Sequence, residues 1–114
     1  MTSQDTPDIE IDVRRFTVDD CEVTVVVADP LDAQQTLYGT VTRHGVLVGS
    51  YYCADRIRQR EWRVVPANTH DLTVDGRPVH PVDEAAAVLV LTNVLTAPAH
   101  EIDQRLREVT RPAQ

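Results

Sequence analysis

Lysine is absent from the chain: all eleven basic residues are Arg. Aromatic residues are scarce, with one Trp, one Phe and three Tyr, and methionine occurs once. Glycine stands at only four positions, 39, 45, 49 and 76, which fit neither GxGxxG nor GxxxxGK(S/T). A phosphate-cradling loop of the nucleotide-dependent kind is therefore not written in this sequence. Long apolar runs are also missing. The longest, Ala85 to Leu91, covers seven residues, against roughly 20 needed to cross a bilayer. The opening residues Met-Thr-Ser-Gln-Asp-Thr-Pro-Asp lack the apolar stretch of a signal peptide. The expectation is a cytoplasmic protein with no membrane partner.

Catalytic chemistry is poorly supplied. Cys21 and Cys53 are the only cysteines, and neither has a second Cys near it, which excludes CxxC redox chemistry and a four-Cys zinc site. Both read as small buried hydrophobes that a cytosolic setting keeps reduced. The four histidines, His44, His70, His80 and His100, form no HExxH pair and match no metal motif. Ser3 and Ser50 lack the G-x-S-x-G turn that exposes a nucleophilic hydroxyl. Cys53 has neither a helix start nor a His beside it to lower its pKa. No catalytic residue, metal ligand or cofactor is assigned, and the expectation is a protein that is not an enzyme.

What the chain does have is enough apolar material to fold. Its 114 residues are 42% hydrophobic and 25% charged, one ordinary domain's worth. The net charge of −7 is unevenly spread. Residues 1–32 hold nine acids against Arg14 and Arg15, whereas residues 33–82 hold six Arg against four acids. Such a bipolar molecule repels polyanions as a whole while one segment attracts them.

Periodicity sets out the architecture. Residues 1–8 read as a flexible tail, and 9–114 as a single α+β domain. Ile9, Ile11 and Val13 alternate with Glu10, Asp12 and Arg14, which predicts a strand burying the apolar set. Val23, Val25 and Val27 repeat the pattern after a turn over Thr17 to Asp20, which completes a hairpin. A second hairpin runs from Leu37 to Cys53 through Arg43-His44-Gly45. Gly39 and Gly49 within its arms signal bulges or close backbone approach. A strand over Glu61 to Val65 ends at Pro66, and Asp75-Gly76 turns a small hairpin whose second arm, carrying Pro78, belongs at an edge. Pro81 then suits the first position of a buried helix over Ala85 to Leu95, with Asp83 and Glu84 in its first turn. A half-exposed second helix follows to about Thr110, with Ile102, Leu106 and Val109 as its apolar stripe. Glu101 with Arg105, and Asp103 with Arg107, are spaced as surface ion pairs on that helix. The expected fold is an antiparallel meandering sheet of about five or six strands followed by two C-terminal helices.

One concentrated feature remains, the segment Tyr51 to Arg63. If residues 56–62 run extended, Arg56, Arg58, Arg60 and Trp62 share one face by the period of two. Arg beside aromatics is the composition of a protein-interface hot spot and equally of a nucleic-acid surface. The bland alternative places Trp62 in the core. The leading reading is a small acidic, non-enzymatic interaction or regulatory module that binds a protein partner through a charged sheet face or its C-terminal helix. Its candidate contacts are Tyr52, Arg56, Arg58, Arg60, Trp62 and Arg63. Outward carboxylates at Glu10, Asp12, Asp19, Asp20 and Glu22 supply an acidic counterpart. The alternative is a nucleic-acid-binding module using residues 51–63, and third comes a metal-dependent enzyme built on His70, His80 and His100. Open sheet edges and an unused apolar stripe also admit a homodimer.

Overall fold

A computed structural model describes residues 11–28, 35–55, 58–68 and 72–113 of the chain. The expected tail, Ile9, Glu10, Arg56 and His70 lie outside the described residues. Strands β1 (Ile11–Val18), β2 (Cys21–Ala28), β3 (Gln35–Arg43), β4 (Val46–Cys53) and β5 (Trp62–Pro66) form one antiparallel meander in chain order. Two tight turns set its register. Asp19-Asp20 joins β1 to β2 with Asp19 at φ 53, and His44-Gly45 joins β3 to β4 with φ 52 and 79. In the His44-Gly45 turn positive φ at both central residues matches the twist of the flanking strands, and Gly adopts it without steric cost. The five-stranded meander and the α+β class are as the sequence predicts.

Alternation along β2 buries Cys21, Val23, Val25 and Val27 on the inner face, where they meet Val41, Tyr51, Cys53 and Trp62. Helix α1 (Glu84–Leu89) covers part of this face and continues as a π-helical turn, Val90–Val94. The helix begins where the Asp83 carboxylate accepts the Ala86 N–H at 2.7 Å, satisfying an otherwise unpaired donor. Pro81, expected to open the helix, instead closes a strand. Ala87 and Leu91 complete the main core, while Val90 and Val94 face a second core with Leu72, Val79 and Leu106. Burial on two sides explains why this segment is apolar all round.

The second core lies under a small sheet of β6 (Thr73–Val74), β7 (Arg77–Pro81) and β8 (Thr110–Pro112), with helix α2 (Ala99–Val109) beside it. Here the structure corrects two expectations. The strand carrying Pro78 is central and not an edge, because β8 returns after α2 to pair with its Val79–Pro81 end. Pro78 lies beyond that ladder and uses its carbonyl alone, accepting the Ala113 N–H at 3.0 Å. Of the two expected ion pairs on α2, Glu101 with Arg105 forms at 3.0 Å, but Arg107 bonds Asp75 in the β6–β7 turn at 2.8 Å. That contact fastens the helix to the small sheet.

The first strand departs from expectation in a way that shapes the site. Ile11 and Val13, expected to be buried, are 61% and 43% exposed on the outer face. Pairing of Val18 with Cys21 across the short turn places Phe16 opposite Val23 and Arg14 opposite Val25. The inner face of β1 is therefore Asp12, Arg14, Phe16 and Val18. Helix α1 stops short of it.

Candidate functional site

Where α1 fails to reach β1, the inner sheet face opens as a groove of about 740 Å³. Phe16, Val18, Val25 and Val27 line its sheet side, and Ala85, Val88 and Leu89 line its helix side. Phe16 is 44% exposed and Leu89 43%. Both are large apolar side chains turned toward one concavity, the arrangement that marks a binding groove.

The polar part of the groove is a small knot. A single carboxylate oxygen of Glu84, Oε2, accepts the Thr36 hydroxyl and the Tyr51 phenol, each at 3.0 Å. Arg14 lines the same groove and leans toward Asp12 at 3.6 Å. Tyr51 is fully buried, with its ring 5.9 Å from that of Trp62. Burial pushes the Tyr51 phenol far above its ordinary value, and the charge of Glu84 and the hydrogen bond to it act in the same direction. The folded state therefore holds this proton to higher pH than the unfolded chain. Its contribution to stability is present below the ordinary tyrosine value of about 10 and is lost as pH rises above it. Tyr51→Phe is expected to lower stability at pH 7 by about 1 kcal/mol, because Glu84 loses one donor, while reducing the loss of stability between pH 9 and 11. Chemical denaturation at several pH values would show both. An unchanged alkaline slope would mean that the fold does not hold the Tyr51 proton above its ordinary range.

The candidate contacts from the sequence are divided by the structure. Tyr52 is exposed on the outer sheet face, paired with Tyr38 on β3 and Arg63 on β5. Trp62 is 2% exposed, and its indole N–H donates to the Gln59 carbonyl at 2.8 Å. It is a core residue and offers no ring to a partner. Residues 54–55 and 58–61 do not form an extended run. The Ala54 N–H donates to the Glu61 carbonyl at 2.7 Å and the Gln59 N–H to the Asp55 carbonyl at 2.8 Å, with Gln59 at φ 53. The period-two face shared by Arg58, Arg60 and Trp62 is therefore absent. Arg58 is exposed, and its backbone N–H bonds the Asp55 carboxylate at 3.2 Å.

Arg60 and Arg63 instead converge with Arg111 of β8 and His80 of β7 on a second cleft of about 280 Å³, which Glu61 also lines. Burial and the neighbouring Arg63 charge hold the His80 imidazole below its ordinary value, with Glu61 opposing. Cys21 and Cys53 are both buried and free. Burial raises the Cys21 thiol, Arg43 opposing and Asp19 and Asp20 adding to it, so it is a poor nucleophile. Among the described residues no three His, Cys, Asp or Glu side chains are placed to hold a metal ion, and no helix is long and apolar enough to cross a membrane.

Sequence reasoning missed Glu84, Thr36 and Arg111. Glu84 reads as a first-turn acid of a helix, and nothing local ties it to Tyr51, 33 residues away. One signal was available: alternation in β4 places Tyr51 on the face of Gly49 and Cys53, and a buried phenol requires an acceptor. Compared with known proteins, the chain matches no family model, no curated protein and no solved structure.

Proposed function

We propose that this protein is a non-enzymatic interaction module that seats an apolar segment of a protein partner in the groove between β1 and α1. The observation that carries the reading is the pair Phe16 and Leu89, exposed on opposite walls of one apolar concavity. Leaving such side chains in water forgoes about 25 cal/mol for each Å² of apolar surface that a partner would cover. The apolar exposure also extends past the groove. Ile11 and Val13 add exposed apolar side chains on the outer face of β1, an edge strand exposed along nearly its whole length. A surface of that extent suits a polypeptide better than a small molecule. Arg14 and Glu84 at the groove supply charges of both signs, which fix the orientation of the bound segment.

The nucleic-acid alternative has less support. Its stacking platform required Trp62, whose ring is in the core. A homodimer is the special case in which the bound segment comes from a second copy.

The test is recovery of partners from native lysate, with and without nuclease, by wild type, Phe16→Asp and Leu89→Asp. Both side chains are substantially exposed, so both variants should melt within a few degrees of wild type. A discrete protein that survives nuclease and falls at least about tenfold with either variant, equivalent to ~1.4 kcal/mol, supports the groove. Equal recovery by both variants overturns it. Nuclease-sensitive material lost on replacing Arg58, Arg60 and Arg63 by Ala would transfer the assignment to nucleic acid.

A further inference from the structure

We infer that the cleft between β5 and β8 is a binding site for a small phosphate-bearing anion, gripped by Arg60, Arg63 and Arg111 with His80 beside them. It is separate from the groove and does not depend on it. Three arginines, delivered by the loop before β5, by β5 itself and by β8, line one cleft. Among the described residues none of the three forms an ion pair with a carboxylate. Among the described residues the Arg63 side chain donates only to the Trp62 carbonyl at 3.2 Å and the Arg111 side chain only to the Val82 carbonyl at 3.4 Å, while the Arg60 side chain makes no hydrogen bond. Glu61, the one acid among the described residues of the lining, cannot neutralise all three.

Gathering like charges costs free energy that the fold does not recover through these contacts. A dianion recovers it. Each guanidinium presents a planar fork of donors matched to the oxygens of a phosphate, and three forks match its terminal oxygens where a single carboxylate would occupy one. The His80 ring adds an N–H donor at the same cleft. A volume of about 280 Å³ lies at the small end of ligand sites, enough for a phosphate monoester with a short substituent. A polymer would have to meet the net charge of −7 carried by the chain as a whole.

The test is calorimetric titration of the full chain with inorganic phosphate and with phenyl phosphate, each against sodium chloride at matched ionic strength. Variants Arg60→Gln, Arg111→Gln and, as control, Arg58→Gln accompany the wild type. Arg58 is exposed and outside the cleft lining. The expected result is saturable one-to-one binding that weakens at least about tenfold in Arg60→Gln and in Arg111→Gln and is unchanged in Arg58→Gln. Tighter binding of inorganic phosphate identifies the free ion as the ligand; tighter binding of phenyl phosphate identifies the ester. Heat that the chloride control reproduces, or an equal loss in Arg58→Gln, overturns the site in favour of diffuse attraction. Circular dichroism of each variant keeps the outcome readable, since the three side chains make no packing contact that defines either core. A single-stranded oligonucleotide binding with a salt slope of several charges while phosphate fails to compete would also overturn it.

Discussion

Replacing Trp62 by Ala is expected to lower stability by about 3–5 kcal/mol, the usual range for emptying a core site of an aromatic ring. In a domain of this size that corresponds to a fall in melting temperature of roughly 12–20 °C. Three connections act together. The ring packs on the inner face with Tyr51 and Cys53, its centroid lies 5.9 Å from that of the tilted Tyr51 ring, and its N–H donates to the Gln59 carbonyl at 2.8 Å. The last of these closes the loop that presents Arg60 to the arginine cleft. Trp62→Phe separates the contributions: it keeps much of the volume and loses the hydrogen bond, with an expected cost of about 1–2 kcal/mol. Thermal melting followed by circular dichroism measures both. A Trp62→Ala protein that melts like wild type would return the indole to the surface and revive the aromatic strip as a contact region.

Placing even one methyl group at Gly39 is expected to be as damaging as removing a core side chain. A Cβ there falls inside the buried ring of Tyr51. That ring cannot swing aside, since its hydroxyl is tied to Glu84 and its other face meets Trp62. Gly49, one strand over, is closed by its surroundings in another way. A Cβ at this position meets the Val65 carbonyl oxygen at 2.6 Å and Leu91 Cδ2 at 2.7 Å, one belonging to the neighbouring strand's backbone and the other to the helix across the core. Overpacking of this kind costs about 1–3 kcal/mol and sometimes more, against a total margin of about 5–15 kcal/mol. Gly39→Ala and Gly49→Ala should each melt well below wild type. The contact itself is tested by combining Gly39→Ala with Tyr51→Leu. The double variant should be more stable than the sum of the single effects predicts, because the smaller side chain vacates the space that the methyl needs. Strict additivity would show that the ring does not lie over Gly39.

The meander strands, their turns and the two helices were legible in the sequence because each has a local cause: alternation in Val23, Val25 and Val27, the His44-Gly45 turn, the acidic first turn at Asp83 and Glu84. Which face a strand turns inward was legible only in part. Ile9, Ile11 and Val13 carry a period-two signal, but the signal does not say on which side the core lies. That is set by the Asp19-Asp20 turn, which pairs Val18 with Cys21 and so directs Phe16 inward. Trp62 was misdirected for a related reason. The shared face with Arg58 and Arg60 needs an unbroken extended segment, and one left-handed residue, Gln59, breaks it. Arg60 and Arg63 stand in the sequence as neighbours of a nucleic-acid-like strip. Their actual companion, Arg111, enters from a three-residue strand after the last helix, and no spacing rule links positions 48 apart. Strand β8 itself has too short a pattern, Thr-Arg-Pro, to register as periodic.

The helical segment 84–94 serves two hydrophobic cores at once, Ala87 and Leu91 in one and Val90 and Val94 in the other. Neither sheet can complete its interior without it. The larger sheet would lose its cover, and the smaller would be left with Leu72, Val79 and Leu106 around a void. The two sheets are consequently coupled in their cooperativity, and fraying of β6, β7 or β8 is transmitted through the helix to the meander. The groove is walled by that helix and the meander, whereas the arginine cleft runs from β5 of the meander to β7 and β8 on the side of the small sheet. A ligand that tightens one side therefore raises the free energy needed to open the other.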